Sequence, residues 1–360
     1  LMSIKKVIIS GGGTGGHIYP AISIANAMKE IDPSLEFLFV GAEGKMEMEK
    51  VPKAGFNIIG LPIVGIQRTQ VWKNLFFPVK LIKSLWQSVQ IIKNFKPDVA
   101  VGVGGYASGP LLLAARFLGI PYYIQEQNSF AGITNKALAA KAEHIFVAYP
   151  GMEKFFPAEK ITLSGNPVRK DLIDAAGKKA KAAAHFHLDP ALKTILIIGG
   201  SQGARSINQG ILGGLNRLTA AGVQVIWQTG IAFEATAKEA ASGNARTYVS
   251  AFIYEMDLAY AMADLVISRA GASSVSEICL IGKASILVPL PSAAEDHQTE
   301  NAKSLVSQNA AILVRDVDVK EKLITEALAA LQTDLSTLEK NSLRLAKPNA
   351  AHEIAQSILS

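Results

Sequence analysis

The chain has 360 residues, of which 49% are hydrophobic and 18% charged, with a net charge of +6 and a single cysteine. That length exceeds what one hydrophobic core usually organises, so two domains are expected, and the apolar content suits buried parallel strands of the α/β class. Cys279 alone excludes an internal disulfide, fits a reducing compartment and reads as a core residue, while no Cys/His cluster has zinc-site spacing.

No stretch reaches ~18 uninterrupted apolar residues, so no bilayer-spanning helix is expected. Leu1-Met2-Ser3-Ile4-Lys5 enters a strand without a signal-peptide pattern, Leu1 reads as an addition ahead of Met2, and a cytosolic protein is expected.

Val7-Ile8-Ile9-Ser10 reads as a buried strand and runs into Gly11-Gly12-Gly13-Thr14-Gly15-Gly16-His17, five glycines within six positions. Glycines let the backbone turn sharply and leave its amides uncovered. Pro20 is expected to open a helix continued by Ala21 to Met28. The loop then lies at a helix N-terminus, where unpaired N–H groups and the dipole favour a phosphate or diphosphate.

Gly11, Gly13 and Gly16 satisfy G-x-G-x-x-G, a string that in dinucleotide sites is joined by an acid closing the second strand. Here that strand, Leu35 to Val40, ends in Val40-Gly41-Ala42 with Glu43 beyond its tip, which weighs against an NAD-dependent oxidoreductase. A merely tight turn would need one or two glycines and no His17.

Between Glu49 and Asp98 there is no acid, yet Lys50, Lys53, Arg68, Lys73, Lys80, Lys83, Lys93 and Lys96 fall there. Among them lie Val71, Trp72, Leu75, Phe76, Phe77, Val79, Ile82 and Trp86, with Pro78 placed to start a helix. An ordinary helix packing on its sheet with lysines outward is one reading of Ile82 to Ile92. The other is a surface lying on anionic lipid headgroups, worth ~1 kcal/mol per basic residue. The patch lacks the dispersed pattern of a nucleic-acid face, and no nucleic-acid partner is expected.

Strands are expected at Phe56 to Leu61, Asp98 to Val103, Pro121 to Gln125, Ile145 to Ala148 and Ile161 to Ser164, alternating with helices in a doubly wound half. Gly104-Gly105-Tyr106-Ala107-Ser108-Gly109-Pro110 is a second glycine loop between strand and helix, and two such loops side by side can grip one diphosphate. Gln125-Glu126-Gln127-Asn128, followed by Gly132 and Asn135-Lys136, is a dense polar string at a strand's carboxyl end.

The pattern restarts at Thr194 to Ile198, meets Gly199-Gly200-Ser201-Gln202-Gly203, and continues through strands at Val223 to Gln228, Thr247 to Ala251, Leu265 to Ser268, Ser285 to Val288 and Ala311 to Val314. Two Rossmann-like domains are expected, joined near Gly165-Asn166-Pro167-Val168. Ser268-Arg269-Ala270-Gly271-Ala272-Ser273-Ser274-Val275-Ser276-Glu277 again runs from strand to helix. Its serines suit helix caps, while the amides of Ala272 and Ser273 suit a ligand, with Glu277 accepting two ribose hydroxyls. Asp296-His297-Gln298 and Asn301 suit sugar hydroxyls.

Asp316-Val317-Asp318 resembles a metal-holding Asp-x-Asp but is expected to cap a helix. His185-Phe186-His187 lies in an Ala/Lys-rich surface segment with no third ligand, and both are read as structural.

GGGTGGHIYP, GGYASGP, EQNSFAG with NK, GNPVR, GGSQGA, WQTG, Phe252-Ile253 with Met256, SRAGASSVSEI, and DHQ with NA resemble the MurG family, collinearly from Ile9 to about Ala351. Those bacterial transferases move N-acetylglucosamine from its UDP donor to lipid-linked N-acetylmuramyl pentapeptide. The resemblance implies a GT-B fold, two Rossmann-like doubly wound domains facing a cleft. Residues 2–164 would bind acceptor and membrane, 165–340 the UDP-sugar, and 341–360 would carry a helix, about Asn349 to Ile358, returning to the first domain. Ser274 stands where a threonine is common, and the loop from Arg68 to Phe77 is less standard.

The donor set so implied is Thr14, Gly15, Gly16, Asn128, Arg169, Ser201, Gln202, Ile253 (by its backbone, to uracil), Met256, Arg269, Ala272, Ser273, Ser274, Val275, Ser276, Glu277 and Gln298. Gly13, Gly104, Gly105, Tyr106 and Ser108 fall to the acceptor; Trp72, Lys73, Leu75, Phe76, Phe77, Lys80, Lys83 and Trp86 fall to an anionic membrane. The expected partners are UDP-N-acetylglucosamine and polyprenyl-pyrophosphate-linked muramyl pentapeptide, with cell-wall or division proteins as further candidates. No metal or other cofactor is expected. The implied place is the cytoplasmic face of the inner membrane, held peripherally.

Inverting transfer needs a base for the attacking hydroxyl and stabilisation of the leaving diphosphate. His17 is the expected base, an imidazole's ordinary pKa of about 6.5 suiting the task, with Glu126 the alternative. The other role open to His17 is to bind or orient diphosphate without exchanging protons. The competing functions are another GT-B lipid glycosyltransferase, a UDP-sugar epimerase, which needs no lipid-facing patch, a non-catalytic UDP-sugar binder and the NAD-dependent oxidoreductase.

Overall fold

The computed structural model describes residues 4–13, 15–65, 77–168, 172, 177–200, 202–291, 293 and 296–360. The chain forms two compact units, one running to Val168 and taking back Pro348–Ser360, the other running on to Lys347.

The first unit alternates β1 (Lys6–Ser10), α1 (Gly15–Ile31), β2 (Glu36–Ala42), α2 (Glu47–Lys53), β3 (Asn57–Leu61) and α3 (Phe77–Phe95). It continues with β4 (Val99–Gly102), α4 (Ser108–Phe117), β5 (Tyr122–Glu126), α5 (Ile133–Leu138), β6 (His144–Val147) and β7 (Ile161–Leu163). The sheet order is β3-β2-β1-β4-β5-β6-β7, and neighbouring strands run parallel. Strand direction of travel across the sheet reverses between β1 and β4, so the loops leaving these two strands open side by side at their carboxyl ends, where this architecture takes ligands.

The second unit begins with α6 (Lys179–Phe186), β8 (Thr194–Ile198), α7 (Arg205–Ala220), β9 (Gln224–Gln228), α8 (Glu234–Ala240), β10 (Thr247–Ser250) and α9 (Met256–Met262). β11 (Leu265–Ser268), α10 (Ala272–Leu280), β12 (Ala284–Leu287), α11 (His297–Val306), β13 (Ile312–Leu313), α12 (Val319–Leu331) and α13 (Ser336–Arg344) follow. Its sheet order is β10-β9-β8-β11-β12-β13, also parallel, with the reversal between β8 and β11.

The central strands read as unbroken apolar runs because both faces are covered: Val7, Ile8 and Ile9 of β1, and Ile195, Leu196 and Ile197 of β8, are all fully buried. On one face of the first sheet Val7 and Ile9 share a core with Ile18, Ile24 and Met28 of α1 and with Ile354, Ala355 and Ile358 of α14 (Ala350–Leu359). The other face carries Ile8, Ala100 and Ile124 against α3 and α4.

α1 begins at Gly15, not at Pro20, which lies inside the helix. A proline there lacks the N–H that would reach back to the carbonyl of Gly16. The helix nonetheless starts five residues early, on its two glycines, and His17 is its third residue.

Candidate active site

In the first unit the two glycine loops interlock. Gly105 has φ +86, and a Cβ there would collide with the backbone of Gly12, so only glycine lets the loop after β4 close on the loop after β1. A Cβ at Gly104 would lie 2.8 Å from Cδ2 and 3.0 Å from Nε2 of His17, and 3.6 Å from Oε1 of Gln127. The imidazole edge thus rests on Gly104, where both loops meet. Tyr106, half exposed, lies beside Gly13 and Gly65. Ser108 is buried and donates its hydroxyl to the Gly105 carbonyl at 3.0 Å, shaping the loop from within.

Gly13 was expected to offer its amide to a ligand. Its N–H instead reaches both carboxylate oxygens of Glu47, at 3.1 and 3.0 Å. The amides left at this loop are those of α1's first turn, starting with Gly15 and Gly16, which have no intrahelical acceptor. Thr14 lies outside the described residues.

The polar string after β5 is held from inside. Glu126 is 2% exposed; its Oε1 accepts the N–H and side-chain amide of Asn128 at 3.1 and 3.3 Å, and its Oε2 those of Gly132 and Asn135 at 3.0 and 2.8 Å. Burial pushes its pKa above the usual carboxylate value, while those four donors oppose the shift. With both oxygens engaged, the Glu126 side chain is arranged to hold the loop. Gln127 donates to the Val103 carbonyl at 2.7 Å and to the Gln125 side chain, and Asn166 bridges the Gln125 side chain and the Gln127 carbonyl at 3.1 and 3.0 Å.

In the second unit the loops after β8 and β11 occupy the corresponding positions. Gln228, ending β9, donates to the Gly200 carbonyl at 3.1 Å and accepts the Ile253 N–H at 3.0 Å. The Ile253 amide is therefore committed within the protein. Asn208 links Trp227 Nε1 to the Thr229 carbonyl at 2.9 and 2.8 Å. The sequence motif around Trp227 contained these side chains without revealing their role, because their partners lie on other elements.

Arg269 was expected beside the donor, but its guanidinium turns inward. It donates to the carbonyls of Val288 and Pro289 at 3.1 and 3.2 Å, to Asp316 at 2.5 Å and to the Ser206 hydroxyl at 2.9 Å. Asp316 thus serves Arg269; Asp318 holds the N-cap position of α12, as expected, but its carboxylate pairs with Arg315 at 2.7 Å and makes no cap hydrogen bond. A fully buried Asn301 ties the Ala270 carbonyl at 3.1 Å, and Gln298 accepts the Leu290 N–H at 3.0 Å.

Ala272 through Glu277 form the first turns of α10; Val275 is core, and the Ser273 hydroxyl is buried without a partner among the described residues. Tyr260 donates to Glu277 at 3.1 Å. Met256, nine-tenths buried, opens α9, and Gln202 is exposed. Arg169 and Ser201 lie outside the described residues. Among those described, no group of three or more His, Cys, Asp or Glu is placed to hold a metal ion.

Trp72, Lys73, Leu75 and Phe76 also lie outside the described residues. Phe77 begins α3, whose outward face bears Val79, Ile82 and Trp86, each more than 60% exposed, together with exposed Lys83. The inward face carries fully buried Ser84 and Ser88. That inward face also packs Leu81, Leu85, Val89, Ile91 and Ile92 on the core of the sheet, with Lys83 and Lys93 outward, as a packing helix would; the exposed Val79, Ile82 and Trp86 are what that reading leaves over. No described helix is long and apolar enough to cross a membrane.

Family models of the glycosyltransferase family 28 N-terminal and C-terminal domains match residues 7–147 and 194–358. Paired Rossmann-like sheets with glycine loops at both reversals, matched along both halves in this way, define a glycosyltransferase of the GT-B class. A crystal structure of MurG from Acinetobacter baumannii superposes with TM-score 0.76 at 30% identity, covering 98% of this chain and 99% of that one.

A protein of Parabacteroides distasonis named UDP-N-acetylglucosamine--N-acetylmuramyl-(pentapeptide) pyrophosphoryl-undecaprenol N-acetylglucosamine transferase is 54% identical, covering 98% of this chain and 97% of its own length. One of the same name from Bacteroides fragilis is 53% identical, covering 98% and 95%. The chain belongs to glycosyltransferase family 28 and, within it, to the MurG family.

Proposed function

We infer that this chain transfers N-acetylglucosamine from UDP-N-acetylglucosamine to the C4 hydroxyl of the muramyl sugar in undecaprenyl-pyrophosphoryl-MurNAc-pentapeptide, converting lipid I to lipid II in peptidoglycan synthesis. Near-complete coverage by transferases of that name supports the activity. The geometric observation that carries the mechanism is the His17 imidazole resting where the two glycine loops of the first unit meet.

In this reading the first unit takes the acceptor, with amides of α1's first turn and of Gly104-Gly105 on its diphosphate, and the second takes UDP. His17 accepts the proton of the C4 hydroxyl as that oxygen bonds to the anomeric carbon. The bond from that carbon to the diphosphate breaks, and its electron pair leaves with UDP. The leaving charge is met by first-turn amides of α10 and by its dipole, together with Arg169 and Ser201. Glu277 takes the ribose hydroxyls.

UDP release from UDP-N-acetylglucosamine, measured with and without a lipid-linked muramyl acceptor, tests the activity; release indifferent to the acceptor overturns it. His17→Ala is expected to lower turnover by about 10²–10⁴-fold while UDP affinity stays within twofold. Near-normal turnover in that variant removes His17 from the role.

The protein further works on the cytoplasmic face of the inner membrane, docked peripherally through α3. The support is the outward set of Val79, Ile82 and Trp86 flanked by Lys80 and Lys83. Lys80→Glu with Lys83→Glu is expected to weaken binding to anionic vesicles, and Ile82→Ser with Trp86→Ser to weaken it at any salt concentration. Unchanged partitioning in both variants would leave α3 a packing helix only.

A further inference from the structure

Glu47 opens α2 and is fully buried. Its Oε1 accepts the N–H groups of Gly13 and Ala42 at 3.1 and 2.9 Å, and its Oε2 lies 3.0 Å from the same Gly13 nitrogen. Taking a polar side chain out of water is costly unless donors replace the lost hydration, and here backbone amides of the first glycine loop and of the end of β2 do so. The surroundings are shaped to admit it. A Cβ on Gly12 would strike the Glu47 carboxylate, and one on Gly41 would lie 2.5 Å from its Cγ.

The contacts continue in one direction. Gly13 is tied to the end of β2 through Glu47, the adjoining Gly12 abuts Gly105, and the neighbouring Gly104 supports the His17 imidazole.

We propose that Glu47 is a positioning residue for glycosyl transfer. Its side chain occupies the Gly13 amide, locking the first glycine loop so that the amides of α1's first turn, and not that of Gly13, face the acceptor and His17 stays seated on Gly104. This rests on the reading that His17 and the loop serve the acceptor.

The test uses the full chain, with kcat and the acceptor KM measured at saturating UDP-N-acetylglucosamine and normalised to protein having the native circular-dichroism spectrum. Glu47→Ala is expected to lower kcat at least tenfold and to raise the acceptor KM, with UDP affinity within twofold. Glu47→Gln keeps an oxygen for Gly13 and Ala42 and is expected to recover most of the loss; Glu47→Asp, one methylene short, is not. If the alanine variant does not fold, a tenfold kcat gap between Gln and Asp supports the proposal and equality within twofold overturns it. In a His17→Ala background, Glu47→Ala is expected to add less than twofold, because it acts through that imidazole; a full additive loss overturns the proposal.

Collapse of His17→Ala with Glu47 variants unaltered overturns this proposal alone. Normal turnover in His17→Ala overturns the underlying reading and this proposal with it.

Discussion

Glu126 and Asn135 meet at 2.8 Å inside the first unit, the Asn135 side-chain amide donating to a carboxylate that also holds Asn128 and Gly132. Glu126→Ala strands three residues' donors in a buried place, at about 1–3 kcal/mol for each unsatisfied group. Glu126→Gln keeps one acceptor and is expected to retain more turnover than the alanine variant. Equal and complete loss in both, with the fold intact, would instead return Glu126 to the role of base.

The same carboxyl sets a pH signature. Burial raises its pKa above the ordinary 4.5, so the folded state holds its proton over a pH range where the unfolded chain has released it. Glu126 therefore costs no stability by ionising below that ordinary value, and the cost grows as pH rises toward the folded value. Urea unfolding of the unsubstituted protein and of Glu126→Gln, followed upward from pH 4.5, is expected to show the difference in their stabilities shifting in favour of the glutamine variant. A pH-independent difference contradicts this.

Arg269 and Asp316 make a nearly buried pair on which the segments after β11 and β12 depend. Removing one partner of such a pair typically costs about 3–5 kcal/mol. Asp316→Ala is expected to fall toward the lower end, since the carboxylate side is 22% exposed, and to weaken UDP binding through displaced loops. Arg269→Lys, unable to reach four acceptors with one ammonium, is expected to weaken it too. Calorimetric titration with UDP reads both; unchanged affinity in a folded Asp316→Ala variant contradicts the coupling.

Much of this architecture was legible because its signals are local. The strand Leu265–Ser268 is an apolar run closed by turn chemistry, and the loops at Gly11, Gly104 and Gly199 announce themselves by glycine. What escaped depends on partners distant in sequence. Glu47 acts on Gly13, Gln228 on Gly200 and Ile253, and Arg269 on Asp316, and no spacing rule links such pairs. The start of α1 at Gly15 likewise runs against helix propensity, which tertiary contact around Gly104 overrides. For α3 both faces contain apolar residues; the small Ser84 and Ser88 turn inward and leave Ile82 and Trp86 outside.

Cys279 sits in α10 with 4% of its surface exposed, and burial pushes its thiol up to about 11. The thiolate is the reactive form, so neither access nor ionisation favours attack near neutral pH. Ellman's reagent is expected to leave the folded protein unlabelled over hours and to label one thiol promptly in guanidinium. Fast labelling of the folded protein would contradict the packing of α10.

Gly104→Ala probes the meeting of the two loops with the smallest possible change. The residue has φ +87, a conformation costing a non-glycine residue roughly 1–2 kcal/mol, and the added methyl would stand 2.8 Å from His17 Cδ2. Something must move, and the imidazole side chain is freer to do so than the interlocked backbone of Gly12 and Gly105. The expected result is a folded protein with a melting temperature a few degrees lower, by about 4 °C, UDP affinity within twofold, and turnover reduced at least tenfold. Pairing the substitution with His17→Ala separates the causes: once the imidazole is gone the extra methyl has nothing to displace, so the double variant should turn over no slower than His17→Ala alone. A further tenfold loss in the double variant would mean that Gly104 serves the acceptor directly, through its own amide, and not by seating the histidine.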